Sequence, residues 1–332
     1  MEAFYSVSAR PRGLFAIPAL PASRSAKPVC RAAHSGYNRD AGRQPMPRLI
    51  YTSDLHGHLE LYRAAGEAAL RTEADALIIG GDLCPGTPSA SSRDLPDSQP
   101  EFLLRAVAPL VESWKQSRPA LRVFAIPGND DCQTVMPALN QLEERGLVEN
   151  LHLRGAELGG ATLVGLAFVP PTPFSFKDFE RWDTAEHLRH EPQIARSVLA
   201  TEHGFEELED FPAYLDSHPT IEEELTRLPV SEPGRTIAVI HCPPYGTRCD
   251  VLFNREHIGS RAVRGWIERH QPLLSLHGHI HESPRMSGAF ADRIGKTVVV
   301  NPGCDHQRPH WVLIDTESPG NLEHSISGRC SL

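Results

Sequence analysis

At 332 residues, with 40% hydrophobic and 23% charged residues, the chain has the composition of an ordinary globular protein and the length of a large α/β domain carrying an insertion. A formal charge of −9 argues against a general nucleic-acid binder, whose phosphate contacts need clustered Lys and Arg, and no apolar run approaches the roughly 20 residues of a membrane helix. Seven cysteines, odd in number and without a CxxC pair, point to free thiols in a reducing cytoplasm rather than to disulfides or structural zinc.

Residues 1–45 stand apart. They hold seven Lys or Arg and two acids, a net +5 that leaves −14 of the total of −9 for residues 46–332. Rich in Pro, Ala, Ser and Arg and without periodicity, they read as a disordered leader or a misassigned start, since "MPRLIYTSDLHGH" from Met46 makes a natural beginning. An organelle-targeting role is the competing reading, and it alone would move the protein out of the cytoplasm.

From Arg48 the chain alternates strands and helices: "RLIYTS", a helix after His58, "ALIIGG", a helix from about Glu101 to Gln116, "LRVFAIPG", and a helix from Met136 to Arg145. This order predicts a layered α/β fold. Hairpin-like strands follow in "LHLRGAELGGATLVGLAF". Residues 169–229 are acidic and interrupted by Pro, and they predict an insertion or cap, helical near Thr220 to Arg227. "RTIAVIHCPP", the amphipathic "GSRAVRGWIERH", "PLLSLHGH" and "KTVVVNPG" then resume the strand and helix pattern, and residues 321–332 are expected to fray.

The predicted strands end in polar clusters: Asp54 and His56, Asp82, Asn129 and Asp130, His241, and the run His277, His279, His281 in "HGHIH". Ligand sites of open α/β sheets lie outside the carboxyl ends of the strands, so these clusters should converge. Carboxylates, an amide oxygen and imidazoles together suit Mn, Fe, Zn, Ni or Co better than Ca or Mg. Two such ions about 3.5 to 4 Å apart fit phosphoryl chemistry.

The motifs Asp54-Leu55-His56, Gly81-Asp82, Gly128-Asn129-Asp130-Asp131, His241 and Gly278-His279-Ile280-His281 resemble, in order, those of the calcineurin-like metallophosphoesterase superfamily, over about Arg48 to Gly303. The resemblance implies a two-sheet sandwich flanked by helices in four layers. It implies two divalent ions, manganese favoured, with Asp54, His56 and His281 on one, Asn129, His241 and His279 on the other, and Asp82 between them. It also implies hydrolysis of a small phosphoester by a metal-activated hydroxide, a phosphodiester or nucleotide-like substrate ranking above a phosphomonoester or phosphoprotein. His277 has no ligand role in the pattern and is expected to be a hydrogen-bonding strand-end residue.

One position departs from the pattern. Many members carry His after the motif Asn, where it protonates the leaving group, whereas this chain has Asp130. A carboxylate beside two dications should stay ionised and be a poor acid, so good leaving groups should be handled best. "VVNPGC" resembles an element of smaller, bacterial-type phosphodiesterases that also lack that His. His58, Cys132 or a metal-bound water are the substitute acids. Tyr245 and Arg248 in "HCPPYGTRCD", and Arg261 at the start of a helix, are candidate substrate contacts, against ordinary capping by Ser260 with Arg261 solvated. "PPTPFSFKDFERWD" either caps the site or packs on the scaffold.

A protein-interaction scaffold of the same fold is the alternative class, but it should show eroded ligand positions, and all seven stand. A nuclease is disfavoured by the −14 of the core. H-x-H-x-D-H and H-E-x-x-H, the patterns of two other zinc-hydrolase classes, are absent.

Overall fold

The computed structural model describes residues 45–86, 95–185 and 196–332. The leader expected at 1–45 lies outside them, save Pro45. In chain order the elements are β1 Arg48–Thr52, α1 Leu59–Arg71, β2 Ala76–Ile79, α2 Leu95–Phe102, α3 Ala108–Ser117, β3 Arg122–Ala125, α4 Val135–Glu144 and β4 Glu149–Asn150. Then come β5 Gly155–Leu158, β6 Ala161–Leu166, β7 Val198–Thr201, β8 Gly204–Glu207, α5 Phe211–Asp216, α6 Ile221–Thr226, β9 Thr236–Ile240, α7 Arg261–His270, β10 Leu274–Leu276 and α8 Ser283–Ser287. β11 Ala291–Ile294, β12 Thr297–Val300, β13 Trp311–Asp315, β14 Asn321–His324 and β15 Gly328–Ser331 complete the chain.

Two sheets carry the fold, one in the order β15-β14-β13-β1-β2-β3-β4 and the other β11-β12-β10-β9-β6-β5. Strand alternation explains how they pack. Leu49, Tyr51, Ile78 and Phe124 of the first sheet meet Leu163, Val239, Leu276 and Val300 of the second in one buried layer. Their neighbours Ile50, Leu77 and Val123 face away, onto Tyr62 of α1, Trp114 of α3 and Leu139 of α4. On the far side Val164, Ile240 and Val299 pack against Leu225 of α6 and Trp266 of α7. The result is the expected helix, sheet, sheet, helix order. No helix among the described residues is long and apolar enough to cross a membrane.

Two local expectations differ from the structure, while the helix expected near Thr220 to Arg227 is met by α6. The helix expected from Glu101 starts at Leu95, ahead of Pro100, and passes through a π-helical turn at Leu103–Val107 before α3. Residues 321–332 do not fray: β14 and β15 form an antiparallel hairpin on the sheet edge, anchored by buried Leu322 and by His324, whose Nε2 lies 2.9 Å from the Pro302 carbonyl. Residues 169–229 include the β7–β8 hairpin, α5, and α6 with its Thr220–Glu223 capping box.

His152, at 8% exposure, accepts the Ala167 N–H at 3.0 Å through Nδ1 and lies edge-on to Phe168 and Phe179. Burial, with Arg181 and Arg154 adding to it, holds its pKa down to about 3 against an ordinary 6.5. The unfolded chain therefore takes the proton first. Stability that is complete above pH 6.5 is lost as the pH falls toward 3, by about 1.4 kcal/mol per unit. Between pH 6.5 and pH 5 the parent chain is expected to lose about 2 kcal/mol through this group, a loss that His152→Gln lacks. Urea unfolding of both chains at the two pH values checks this, and equal losses would refute it.

Candidate metal centre

β1, β2 and β3 run parallel in one sheet and β9 and β10 run parallel in the other. Asp54 and His56 follow β1, Asp82 follows β2, Asn129 and Asp130 follow β3, His241 follows β9, and His279 and His281 follow β10. Asp54, His56, Asp82 and His279 all take left-handed backbone, with φ of 58°, 43°, 49° and 65°. Such conformations cost on the order of 1 kcal/mol each and persist where the surroundings over-determine them. Here the Asp54 N–H donates to the Gly81 carbonyl at 3.0 Å and the His56 N–H to that of Asp82 at 2.8 Å. Gly278 is required as glycine, because a Cβ there would overlap Ser53 Oγ and Asp54 Oδ2.

The side chains converge as a chain of donor atoms. His281 Nε2 lies 3.3 Å from Asp54 Oδ1 and 3.2 Å from His56 Nε2. Asp82 Oδ2 stands between His56 Nε2 at 3.6 Å and His241 Nε2 at 3.4 Å. His241 Nε2 is in turn 3.2 Å from Asn129 Oδ1, and the His279 ring stands 5.4 Å from that of His241. Neighbours fix the orientations. The Gly80 carbonyl, 2.8 Å from His241 Nδ1, accepts from that nitrogen and so turns Nε2 toward Asp82. The His279 N–H donates to Asp54 Oδ1 at 2.9 Å.

Asp54 Oδ2 is buried without any hydrogen-bond partner. An orphaned carboxylate oxygen beside imidazole nitrogens is what a cation site offers, and the ligand atoms of Asp54, His56, Asp82 and His281 lie within 4.8 Å of one another. The donor set therefore fits divalent ions.

The electrostatics agree. Burial opposes charge on His241 and His281, yet Asp82 beside the first and Asp54 beside the second raise both to about 9. Asp54, against its burial, is brought down to about 2 by His281, and His241 holds Asp82 well below the carboxylate range. This is a buried acidic centre that draws in positive charge. Asp130 goes the other way: burial and the charges of Asp82 and Asp131 push it up to about 7. The expectation that it stays ionised needs the charge of bound cations, since the protein's own groups favour the proton.

His277 takes the strand-end hydrogen-bonding place expected of it, whereas several candidate acids and substrate contacts lie away from the cluster. His277 is buried at the strand end, Nδ1 donating to the Ile240 carbonyl at 2.7 Å, outside the cluster. Cys132 is buried against Ala200 and Phe176, its thiol pushed well up by burial, and is no proton donor to the site. His58 is an exposed residue at the start of α1 whose ring lies tilted, 5.2 Å from that of His306. Tyr245, Arg248 and Arg261 do not line the cavity over the cluster. Arg261 lies 3.7 Å over the Tyr245 ring, and the N-terminus of α7 is already occupied by the Asp183 carboxylate, which accepts the Arg261 N–H at 2.7 Å. Ser260 caps that helix through the Val263 N–H at 2.9 Å, the ordinary reading of the stretch.

Other residues enter unannounced. His306 turns its ring to within 5.0 Å of His56 and 5.4 Å of His281, and its ring nitrogen completes a three-imidazole group with theirs. Asp131 accepts the N–H groups of Leu83, Cys84 and Gly128 and so ties the second and third strand-end loops together. Buried Gln99 holds the third loop from α2, donating to the Asp130 carbonyl at 2.9 Å and accepting the Cys132 N–H at 2.6 Å. A cavity of about 510 Å³ opens over Asp82, Asn129, Asp130, His279 and His281. Its far wall is Pro170 to Phe174 with Leu252, Phe253 and Ile258. The "PPTPF" half of the aromatic stretch thus lines the site, while Phe179 and Trp182 pack into the scaffold.

The family model for calcineurin-like phosphoesterases matches residues 47–283. No curated protein matches the chain. Among solved structures, the protein TT1561 of Thermus thermophilus is 20% identical with a TM-score of 0.50, over 85% of this chain and 99% of that one. A dimetal phosphatase from Danio rerio is 12% identical with a TM-score of 0.46, over 87% of this chain and 97% of that one. An archaeal phosphodiesterase is 11% identical with a TM-score of 0.37, over 83% and 98%. At 20% identity the first of these is a likeness of fold. The matched span contains Asp54, His56, Asp82, Asn129, His241, His279 and His281, with His306 beyond it, and the chain belongs to the calcineurin-like phosphoesterase family, metal-dependent hydrolases of phosphoester bonds.

Proposed function

We propose that the protein hydrolyses phosphodiesters, nucleotide-like ones among them, at a centre of two divalent cations. The observation that carries this reading is the placing of Asp82 Oδ2 between His56 Nε2 and His241 Nε2, with the orphaned Asp54 Oδ2 close by. Asp54, His56 and His281 would hold one ion, Asn129, His241 and His279 the other, and Asp82 both. Manganese is the favoured metal. Cations in such a set supply Lewis acidity toward phosphoryl oxygens and activate water near neutral pH.

The chain's own groups prepare the set. The Gly80 carbonyl orients the His241 ring, and Asp130 Oδ1 accepts from Asn129 Nδ2 at 2.9 Å, which turns Asn129 Oδ1 toward His241. Asp130 occupies the position of the usual acid and lies 3.5 Å from His56 Nδ1. It therefore positions Asn129 and His56, and leaving groups that need no proton are served best. His58 meets the ring of His306, which in turn meets that of His56.

Turnover of bis(p-nitrophenyl) phosphate and p-nitrophenyl phosphate with Mn²⁺ tests the reading. The diester is expected to be the better substrate, chelator should abolish turnover, and His241→Ala should lower it by about a hundredfold or more. A manganese-loaded protein that cleaves neither ester, or cleaves both as fast without His241, would contradict the proposal.

A further inference from the structure

Beside the metal centre the surface changes character. Among the described residues six large hydrophobic side chains are exposed, and three of them line a cavity that opens over Asp82 and His281: Phe174 at 55%, Phe253 at 60% and Ile258 at 40%. Exposed apolar groups scattered singly need no explanation, but three gathered at the mouth of a catalytic cavity do. Phe174 and Phe253 come from separate segments, one after β6 and the other after β9.

Both walls are held from behind. The Phe174 N–H donates to Thr172 Oγ1 at 3.2 Å, and Thr172 is fixed by a fully buried pair, Lys177 Nζ donating to its carbonyl and to Glu180 Oε1, each at 2.9 Å. The Phe253 N–H donates to Glu282 Oε1 at 3.3 Å, next to His281. Rings on anchored backbone, facing a cavity whose floor is the phosphoester site, suit a flat apolar group attached to the phosphate.

Resting on the hydrolase reading above, we propose that Phe174, Phe253 and Ile258 form a subsite for an aromatic ester group of the substrate, an aryl or nucleobase ring. The cavity, about 510 Å³, has room for a ring and its phosphate together. Selectivity among phosphodiesters then comes from the segments after β6 and β9, while the strand-end ligands set the chemistry.

Calorimetric binding of phenylphosphonate and of methylphosphonate to the manganese-loaded protein tests this without turnover. Phenylphosphonate is expected to bind about tenfold tighter. That advantage should fall to about twofold or less in Phe174→Ala and in Phe253→Ala, with methylphosphonate affinity unchanged in both. Adding thymidine 5′-phosphate distinguishes the sources: tighter binding than phenylphosphonate, lost in the same variants, assigns the subsite to a nucleobase, and weaker binding assigns it to an aryl group. Equal affinity for the two phosphonates in the parent protein, or an advantage that survives in the double variant Phe174→Ala with Phe253→Ala, would overturn the subsite and leave the hydrolase standing. Failure of methylphosphonate itself to bind would instead remove the metal centre's phosphate site, and the subsite with it. A dimer that dissociates in the double variant, by light scattering, with the phosphonate ratio intact would assign the wall to a second copy of the chain and likewise overturn the proposal.

Discussion

Asp82→Asn is expected to lower phosphodiester turnover by about a thousandfold and to leave the purified protein with no more than one manganese per chain. Asp82 is the one carboxylate whose oxygen faces both halves of the cluster, 3.6 Å from His56 Nε2 and 3.4 Å from His241 Nε2. Asn keeps the shape and one acceptor oxygen, so Oδ1 can still take the Asp130 N–H now held at 2.8 Å. What is lost is the charge. That loss also removes the repulsion that helps raise Asp130 and Asp131, so the metal-free variant should melt within a few degrees of the parent. The two should separate when manganese is added: at about a hundredfold excess over its dissociation constant a ligand stabilises the native state by about 2.7 kcal/mol, and only the parent should gain this in full. Elemental analysis, melting with and without Mn²⁺, and turnover are the three readouts. A variant that retains two ions per chain and its melting shift would show that Asp82 does not join the halves.

How much of this was legible in the sequence follows from the range of the interactions involved. Strand-end ligands are local features. Asp54-Leu55-His56 or His279-Ile280-His281 follows an apolar strand directly, so both the fold class and the converging cluster could be read from short stretches. His306 could not be read this way. It sits in "GCDHQRPH", a polar loop with no periodicity, takes left-handed backbone at φ 57°, and brings its ring to 5.0 Å from that of His56. Gln99 acts on a loop distant in sequence and nothing within its own segment signals it, while Asp131 stands in the Gly128-Asn129-Asp130-Asp131 motif with its tie to Leu83 and Cys84 hidden by distance. Arg261 was misleading for the same reason in reverse. A helix N-terminus with Arg beside it suits an anion, but the anion is already built in as Asp183, 78 residues upstream. The C-terminal hairpin was hidden because β14 and β15 lie at a sheet edge, where Leu322 and His324 alone are buried and the other positions are free to be polar.

Lys177→Met should destabilise the fold by about 3 to 5 kcal/mol, the largest stability effect expected outside the hydrophobic core. Lys177 and Glu180 are both at 0% exposure, with Nζ 2.9 Å from each carboxylate oxygen and 4.8 Å from the Phe211 ring. Removing the ammonium strands a buried carboxylate, which costs far more than the pair contributes. Even with Lys177 present, burial lifts Glu180 to about 7 from an ordinary 4.5. An acid whose folded pKa is raised takes up protons more readily when folded, so its penalty is absent below pH 4.5 and grows as the pH rises through 7. Without Lys177 the folded pKa must rise further, and the difference between parent and variant should be small at pH 5 and large at pH 8. Lys177→Met with Glu180→Leu removes both charges and should recover most of the stability, as apolar replacements of buried pairs do. Urea unfolding of the parent, single and double variants at the two pH values measures all of this. A single variant as stable as the parent at pH 8 would mean that Glu180 finds another partner. The same pair fixes Thr172 behind Phe174, so the double variant carries a second expectation: stability returns while the wall of the cavity loosens, because Glu180 no longer accepts from Thr172 Oγ1, now 2.5 Å away. Stability and cavity shape are thus set by one ion pair for different reasons, the first by its charge balance and the second by its hydrogen bonds.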